Sequence, residues 1–407
     1  VYKEKEKRIY GQFNISYPPI MDGVSEVVKN YTLWLNDLGD LCYALVPKAK
    51  GYREVDAQEN IPGIIRCSSI PRLRAKPYVI PLADPVFRKR VSKIPFNLIH
   101  IHYPILLGNY ALNLARRKGI PVVATFHTRY REQLRRVWPE PWADKLSNYI
   151  TRFYEKVDEV WVPTWGAGEI LREYGYRGRS LQIVPNGTDL AIPGEEEYRL
   201  YREKGLKILS QASGGPQISG DAGRPVFLYI GNMLVTKNLG LLLEALAYLK
   251  QKNKPFLMLM VGEGYYRPGL EEYVKKEGLE NQVLFLGSLW EREKIKAFLA
   301  VSDLFLFPSK ADTAGIVRLE AAAYGVPLVV VRERCAVEGI VDGVNGFISE
   351  DTAEDYGEKL LFCLNHPEEV RRAGLKARET LYRSWKEVVS QVRAQYGEIL
   401  SSFPKKG

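Results

Sequence analysis

The residues of this 407-residue chain best placed to do chemistry run from Ser309 to Glu320 and include Asp312, Thr313, Ala314, Gly315 and Ile316. The apolar stretch 304–307 reads as a buried strand that ends in a polar loop, and a helix opens near Ile316. The first N–H groups of a helix have no partner inside it, so Thr313 to Ile316 can present donors to an anion or an electron-rich oxygen. Asp312 stands before that helix and Glu320 just over one turn inside it. A carboxylate at each place can accept hydrogen bonds from two sets of sugar hydroxyls, one on a transferred sugar and one on a ribose. The same spacing equally describes an ordinary helix cap and a solvated helix residue. His127 leaves the end of a predicted strand, where an imidazole can bond a sugar hydroxyl. His100 and His102 alternate on one predicted strand and are expected to face opposite sides, a poor metal pair. There is no Asp-x-Asp pair, and Cys42, Cys67, Cys335 and Cys363 lack metal-ligand spacing. Neither a metal nor a cofactor is therefore expected, and the thiols read as free cytosolic cysteines.

Positioning such residues takes a scaffold of strands and helices. Residues 9–15, 41–46, 64–70, 98–102, 122–126, 159–162 and 182–184 read as strands, with helical periodicity over 24–38, 106–118, 142–157 and 167–174. A second series follows, with strands at 226–230, 256–261, 283–286, 304–307 and 328–331 and helices between them. Short strands alternating with longer helices imply parallel sheets covered on both faces, an α/β fold of two doubly wound, Rossmann-like domains. The length fits two cores rather than one. The predicted domains are 1–190 and 224–384, with 191–223 a linker or mobile insertion, since it is charged and then rich in Gly, Ser and Gln. Residues 385–407 carry a final helix expected to cross back to the first domain. Ligands of such folds bind at the carboxyl ends of the strands, so two facing domains imply a cleft. No Gly-x-Gly-x-x-Gly opens a helix after the first strand, which argues against a dehydrogenase.

Charge is unevenly placed. The chain carries a net +10, and residues 72–136 alone hold fourteen Lys or Arg against Asp84 and Glu132. So local a field draws in anionic surfaces or substrates. No nucleic-acid motif accompanies it, and nucleic acid is not an expected partner. No stretch approaches the roughly 20 apolar residues that span a bilayer, and the charged N-terminus does not resemble a signal peptide.

Several segments, in order, resemble the retaining glycosyltransferases called group 1 or family 4. The run from Asp312 to Glu320 resembles their Glu-x7-Glu motif, with aspartate in the first place. Residues 18–24, containing Asp22 and Gly23, resemble their N-terminal glycine loop; Thr125 to Thr128 resemble Thr-x-His; Pro185, Asn186, Gly187 and Asp189 resemble Pro-Asn-Gly-x-Asp. Gly231 to Asn238 resemble their phosphate loop, and Gly262 and Gly264 their Gly-x-Gly turn. The resemblance implies the GT-B fold and a nucleotide-sugar donor. It makes His127, Lys237 and Asp312 catalytic, and assigns donor binding to Gly23, Asn232, Lys237, Asp312, Thr313, Ala314, Gly315, Ile316 and Glu320. Gly23 would let backbone N–H groups approach a diphosphate. Lys237 would meet the charge that accumulates as the diphosphate leaves. The family mechanism needs no protein nucleophile: the leaving phosphate oxygen takes the acceptor proton on the face from which the nucleotide departs, and the enzyme orients and stabilises. One departure is Asn232, where the family has arginine; asparagine offers neither charge nor a bidentate fork, and Arg318 or Arg267 are candidates to compensate.

Within that family the N-terminal half is similar to diacylglycerol glucosyltransferases, on residues 97–104, 107–111, 127–130 and 158–164. That similarity implies UDP-glucose as donor and a lipid acceptor. The stretch with Arg129, Tyr130, Arg131, Arg135, Arg136, Trp138 and Trp142 sets cations among bulky aromatics, as a protein resting on an anionic membrane would. A soluble helical arm with its tryptophans in the core fits the same residues. The expected location is cytoplasmic, peripheral on the inner face of the membrane. Alternatives are a soluble sugar, sugar phosphate or polysaccharide acceptor, and a non-catalytic nucleotide-sugar-binding protein. The oligomeric state is not legible.

Overall fold

Parallel neighbours need a crossover of a dozen or more residues, so alternating strand and helix signals dictate how each half is wound. The computed structural model describes residues 7–59, 61–72, 78–135, 138–178, 180–212, 224–289 and 291–404. The chain divides into two compact units, Val1–Gly187 with Trp385–Gly407, and Thr188–Ser384.

In the first unit a seven-stranded sheet is built from β1 (Ile9–Phe13), β2 (Leu41–Pro47), β3 (Ile64–Cys67), β6 (Leu98–Ile101), β7 (Val122–Thr125), β8 (Glu159–Val162) and β9 (Leu181–Ile183). Between β3 and β6 lie two short strands, β4 (Ser69–Pro71) and β5 (Val79–Pro81), paired antiparallel. The single strand predicted over 64–70 is thus two. The chain turns at Ser68, whose N–H and hydroxyl both donate to Asp84 Oδ2, at 2.9 and 2.8 Å. The sheet is parallel throughout, in the order β3-β2-β1-β6-β7-β8-β9. Its connecting helices are α1 (Gly23–Asp37), α2 (Tyr52–Glu59), α3 (Pro85–Ser92), α4 (Leu107–Lys118), α5 (Tyr130–Leu134), α6 (Glu140–Tyr154) and α7 (Trp165–Glu173). Asp22 starts α1 with a capping box: its carboxylate accepts from Ser25 N–H at 2.7 Å, and the Ser25 hydroxyl accepts from Asp22 N–H at 2.9 Å.

In the second unit α8 (Glu195–Ala212) precedes a six-stranded parallel sheet of β10 (Val226–Ile230), β11 (Leu257–Val261), β12 (Val283–Gly287), β13 (Leu304–Phe307), β14 (Leu328–Val331) and β15 (Gly346–Ser349). Its order is β12-β11-β10-β13-β14-β15. The remaining helices are α9 (Leu239–Gln251), α10 (Arg267–Lys276), α11 (Arg292–Val301), α12 (Ile316–Ala323), α13 (Ala353–Asn365) and α14 (Pro367–Thr380). In both sheets the strand order reverses beside the first strand, at β1/β6 and at β10/β13. Loops leaving the two strands at such a point diverge to opposite sides and leave a crevice between them.

The predicted linker 191–223 needs correction. Most of it is α8, whose Tyr201 and Leu209 are buried in the core of the second unit; 213–223 lies outside the described residues. Charges on both flanks obscured its apolar stripe, and its closest contact is a glycine with no hydrophobic signal. A Cβ at Gly205 would stand 2.5 Å from the Ala297 carbonyl oxygen of α11 and 2.6 Å from Val301 Cγ1. The last helix, α15 (Trp385–Ser402), packs on α1 in the first unit, with Trp385 and Tyr396 buried and Arg393 Nε 2.6 Å from Asp40 Oδ2.

Because the obstacle at Gly205 is backbone, Gly205→Val must force α8 off α11. It is expected to destabilise the second unit by about 2 kcal/mol, read as a lower denaturant midpoint, whereas the same change at Gly194, where an added Cβ meets nothing within 4 Å, should be much milder.

Candidate active site

The β10/β13 reversal in the second unit brings together residues 75 positions apart in sequence. The loop after β10 folds back through a 3-10 turn, Val235–Lys237, and ends on Asn238 in the left-handed region at φ 57°. The Gly-x-Gly turn after β11 supports it. A Cβ at Gly262 would stand 1.9 Å from the Gly231 carbonyl oxygen, and Met233 N–H donates to the Glu263 carbonyl at 2.8 Å. Lys237, delivered by this loop, places Nζ 2.5 Å from Asp312 Oδ1 in the loop after β13. Burial works to raise the Asp312 pKa, yet the adjacent ammonium outweighs it and holds the carboxyl below the usual aspartate range. Its Oδ2 is buried without a hydrogen-bond partner. Asp312 is therefore not the helix cap of α12, a role taken by Gly315 at φ 69° with no side-chain cap. That leaves the opening N–H groups of α12 uncapped by a side chain, with Thr313, Ala314 and Gly315 leading into Ile316.

Glu320 is not the solvated helix residue that its spacing allowed. It is 4% exposed, and burial raises its pKa although Arg292 Nη1 sits 2.8 Å from Oε1. The same guanidinium pairs with Asp189. Burial opposes the charge on Arg292, but the two carboxylates raise its pKa further. Arg292 was missed in the sequence because it lies in an unremarkable charged helix start, with nothing marking it as a partner of two carboxylates.

Neither proposed substitute for the family arginine is available. Arg318 is buried and donates to the carbonyls of Ala314, Cys335 and Glu338 at 3.3, 3.0 and 2.7 Å, so it braces the loop and the start of α12 from behind. Arg267 is held by Glu263 and Glu271. Asn232 itself is exposed, its carbonyl accepting from the Tyr229 hydroxyl at 3.0 Å.

Gly23 and His127 belong to the first unit. Gly23 opens α1, and an added Cβ there meets nothing within 4 Å, so packing within the unit does not demand glycine. His127 follows β7 and ends a stacked row of histidines. The rings of His100 and His102 lie 4.1 Å apart, and those of His102 and His127 5.2 Å. The expectation that His100 and His102 face opposite sides is wrong: a strand repeats every two residues, so positions i and i+2 share a face. The three rings are tied together by hydrogen bonds. His100 Nε2 lies 2.7 Å from Thr125 Oγ1 and its Nδ1 2.5 Å from the Tyr396 hydroxyl. Gln12 Nε2 donates to that hydroxyl at 3.3 Å. Gln12 Oε1 lies 2.9 Å from His102 Nε2, and His102 Nδ1 is 3.0 Å from His127 Nε2. Burial drives His100 and His102 well below the ordinary histidine pKa and His127 down to about 3. In a neutral row the proton positions follow from Gln12. Its carbonyl oxygen can only accept, so His102 is protonated at Nε2 and accepts at Nδ1. His127 then donates from Nε2 and carries its lone pair on Nδ1.

The surface patch proposed between Arg129 and Trp142 is also revised. Arg129 and Tyr130 are buried at 8% and 5% exposure and cannot belong to it. Arg131 pairs with Asp144, and Arg135 with Glu140 and Asp144, so the structure neutralises cations that were read as bare. Arg136 lies outside the described residues. Beside the paired Arg135, the exposed side chains include Trp138, and Trp142, Leu146 and Tyr149 along one face of α6, with Lys145 over the Trp142 ring at 5.6 Å. Among the described residues no helix is long and apolar enough to cross a membrane, and no three His, Cys, Asp or Glu side chains gather as a metal site.

Two parallel, doubly wound units, one with acids, a lysine and a helix start meeting at its strand-order reversal, define an α/β fold of the two-unit Rossmann-like class. Solved structures agree: HepE of Anabaena, crystallised with UDP and glucose, superposes at a TM-score of 0.70 over 98% of this chain and all of that one, at 18% identity. That likeness establishes the GT-B fold. Family models for Glycosyltransferase Family 4 and Glycosyl transferases group 1 match residues 21–192 and 216–380, and the chain belongs to this glycosyltransferase family. Alpha-monoglucosyldiacylglycerol synthase of Acholeplasma laidlawii is 24% identical over 368 residues, 88% of each chain. N-acetyl-alpha-D-glucosaminyl L-malate synthase of Bacillus anthracis is 26% identical over 330 residues, 80% of each.

The histidine row has a consequence for acid stability. Unfolded, the three imidazoles titrate near 6.5; folded, they stay neutral well below that. Between those values the unfolded chain binds more protons, so stability falls as pH drops. The slope just below pH 6 is expected to approach about 4 kcal/mol per pH unit for the three together. Urea midpoints between pH 7 and 5 measure it, and an unchanged midpoint over that range would contradict a neutral buried row.

Proposed function

We propose that this glycosyltransferase moves a hexose, glucose, from UDP-glucose to a lipid acceptor such as diacylglycerol at a membrane surface, with retention and without a metal. The observation that carries the donor half is the Lys237–Asp312 contact at the β10/β13 reversal. A diphosphate arriving there competes with Asp312 for the lysine, and its second charge finds the uncapped N–H groups at the start of α12. Releasing Lys237 to phosphate frees Asp312 to accept hydroxyls of the transferred sugar. Glu320, anchored by Arg292 through one oxygen, accepts from the ribose. The acceptor oxygen bonds the anomeric carbon as the bond to the diphosphate breaks, and the acceptor proton passes to the departing phosphate oxygen. Lys237 offsets the charge that builds there. His127, which follows β7, would bond a hydroxyl of the transferred sugar.

Support for a lipid acceptor comes from the exposed Trp138, Trp142, Leu146 and Tyr149, side chains suited to a membrane interface, and from the likeness to a diacylglycerol enzyme. A cytoplasmic protein resting on the inner membrane face fits that reading. The pairing of Arg131 and Arg135 with acids favours a second reading, a soluble carbohydrate or hydroxy-acid acceptor, because it removes much of the attraction to anionic lipid.

The two are separated by presenting UDP-glucose, other sugar nucleotides, diacylglycerol vesicles and soluble acceptors to the enzyme with a chelator present. The expected product is an α-glucosyl lipid, formed at an undiminished rate in chelator and reduced by Trp142→Ala. Transfer only to soluble acceptors would reverse the acceptor assignment, inversion would end the retaining one, and absence of any transfer would leave a nucleotide-sugar-binding protein.

A further inference from the structure

The first unit has a cavity of 830 Å³ between α3 and α4. It is lined by Arg88, Lys89 and Ser92 of α3 and by Leu106, Asn109, Tyr110, Asn113, Arg116 and Arg117 at and along α4. The α4 positions advance by three and four, so they form one continuous face of that helix. Four of the nine lining residues are cations and none is an acid. None of the four makes an ion pair among the described residues; the contacts they do make are with a ring or a carbonyl. The Arg88 guanidinium lies over the Tyr110 ring at 5.3 Å, and one Arg116 nitrogen donates to the Lys156 carbonyl at 3.3 Å. The Tyr110 ring is itself fixed against Phe13 and Phe87.

The contrast with α5 and α6 is informative. There the same unit sets Glu132, Glu140 and Asp144 against its arginines, whereas the cavity gathers four like charges and leaves them to water. Basic residues at the last turn of a helix complement its dipole, which accounts for Lys89, Arg116 and Arg117 one by one. It does not explain why Arg88, Lys89, Arg116 and Arg117 all line the same hollow. Like charges gathered in a concavity raise the local potential and are relieved by a bound anion. Two or three guanidinium forks, with Ser92, Asn109 and Asn113 as neutral donors, match the several acceptor oxygens of phosphate groups.

We propose that the α3–α4 cavity is a binding site for a soluble ligand bearing two or more phosphate-type charges, separate from the donor residues of the second unit. A concave hollow fits a compact polyanion better than it fits the flat face of a bilayer. The site does not depend on which sugar or acceptor the enzyme uses.

Inorganic tripolyphosphate serves as the probe, titrated calorimetrically into the full chain with UDP present in excess to occupy the donor residues. One site is expected, weakening steeply with added salt. Arg116→Ala with Arg117→Ala should reduce affinity roughly tenfold or more, and Arg88→Ala with Lys89→Ala should do so independently. All four side chains are exposed, so both variants should melt like the parent. Equal binding by parent and variants, or no binding, would overturn the proposal. So would loss of binding to phosphatidylglycerol vesicles in the variants when tripolyphosphate never binds, since the cations would then serve lipid headgroups.

Discussion

The ion pair between Lys237 and Asp312 is the contact on which the chemistry proposed for the second unit rests, and topology creates it. The chain winds outward from β10 in one direction through β11 and β12, then returns to the other side of β10 as β13. Loops leaving β10 and β13 must therefore face each other across the reversal. Everything nearby holds that geometry: Gly262 lets the loop after β11 press against Gly231, and Arg318 ties Ala314 to the carbonyls of Cys335 and Glu338. A half-buried lysine beside an equally half-buried carboxylate is a poised arrangement. Its Coulomb attraction is partly offset by lost solvation, so in the proposed function an incoming diphosphate need only offer the lysine a better partner.

The first unit solves a different problem. Its sheet centre carries polar side chains, Gln12, His100, His102 and Thr125, all buried. Such groups are costly unless each donor and acceptor is matched. They are matched by one another and by Tyr396, which reaches the row from α15 at the far end of the sequence. The return of the last helix is thus more than a cover for α1. It supplies a hydroxyl partner to Gln12 and His100, while the Gln12 carbonyl sets which His102 nitrogen carries the proton.

Much of this was legible in the sequence. Strand and helix periods gave the seven strands of the first sheet and five of the six in the second to within two or three residues, because parallel strands buried on both faces are short, uniformly apolar runs; β15, the edge strand, was not predicted. The run from Asp312 to Glu320 stood out because strand, polar loop and helix start follow one another there with acids at either end. What stayed hidden was long-range pairing. Arg292 meets Asp189 and Glu320 only after folding, and α8 looked like a linker because Gly205 marks its tightest contact. The bare-looking arginines at Arg131 and Arg135 find their acids in α6, beyond the reach of local charge counting. The histidines were misread through a simple error of period, and the correct one predicts their stacking.

The donor recognition proposed for the second unit can be measured without any acceptor. Calorimetric titration with UDP-glucose should show one site in the parent and a loss of affinity of roughly tenfold or more in Lys237→Ala, with Asp312→Ala weakening UDP-glucose but sparing UDP. Indifference of UDP-glucose binding to Lys237, or no uptake of any sugar nucleotide, would contradict the account.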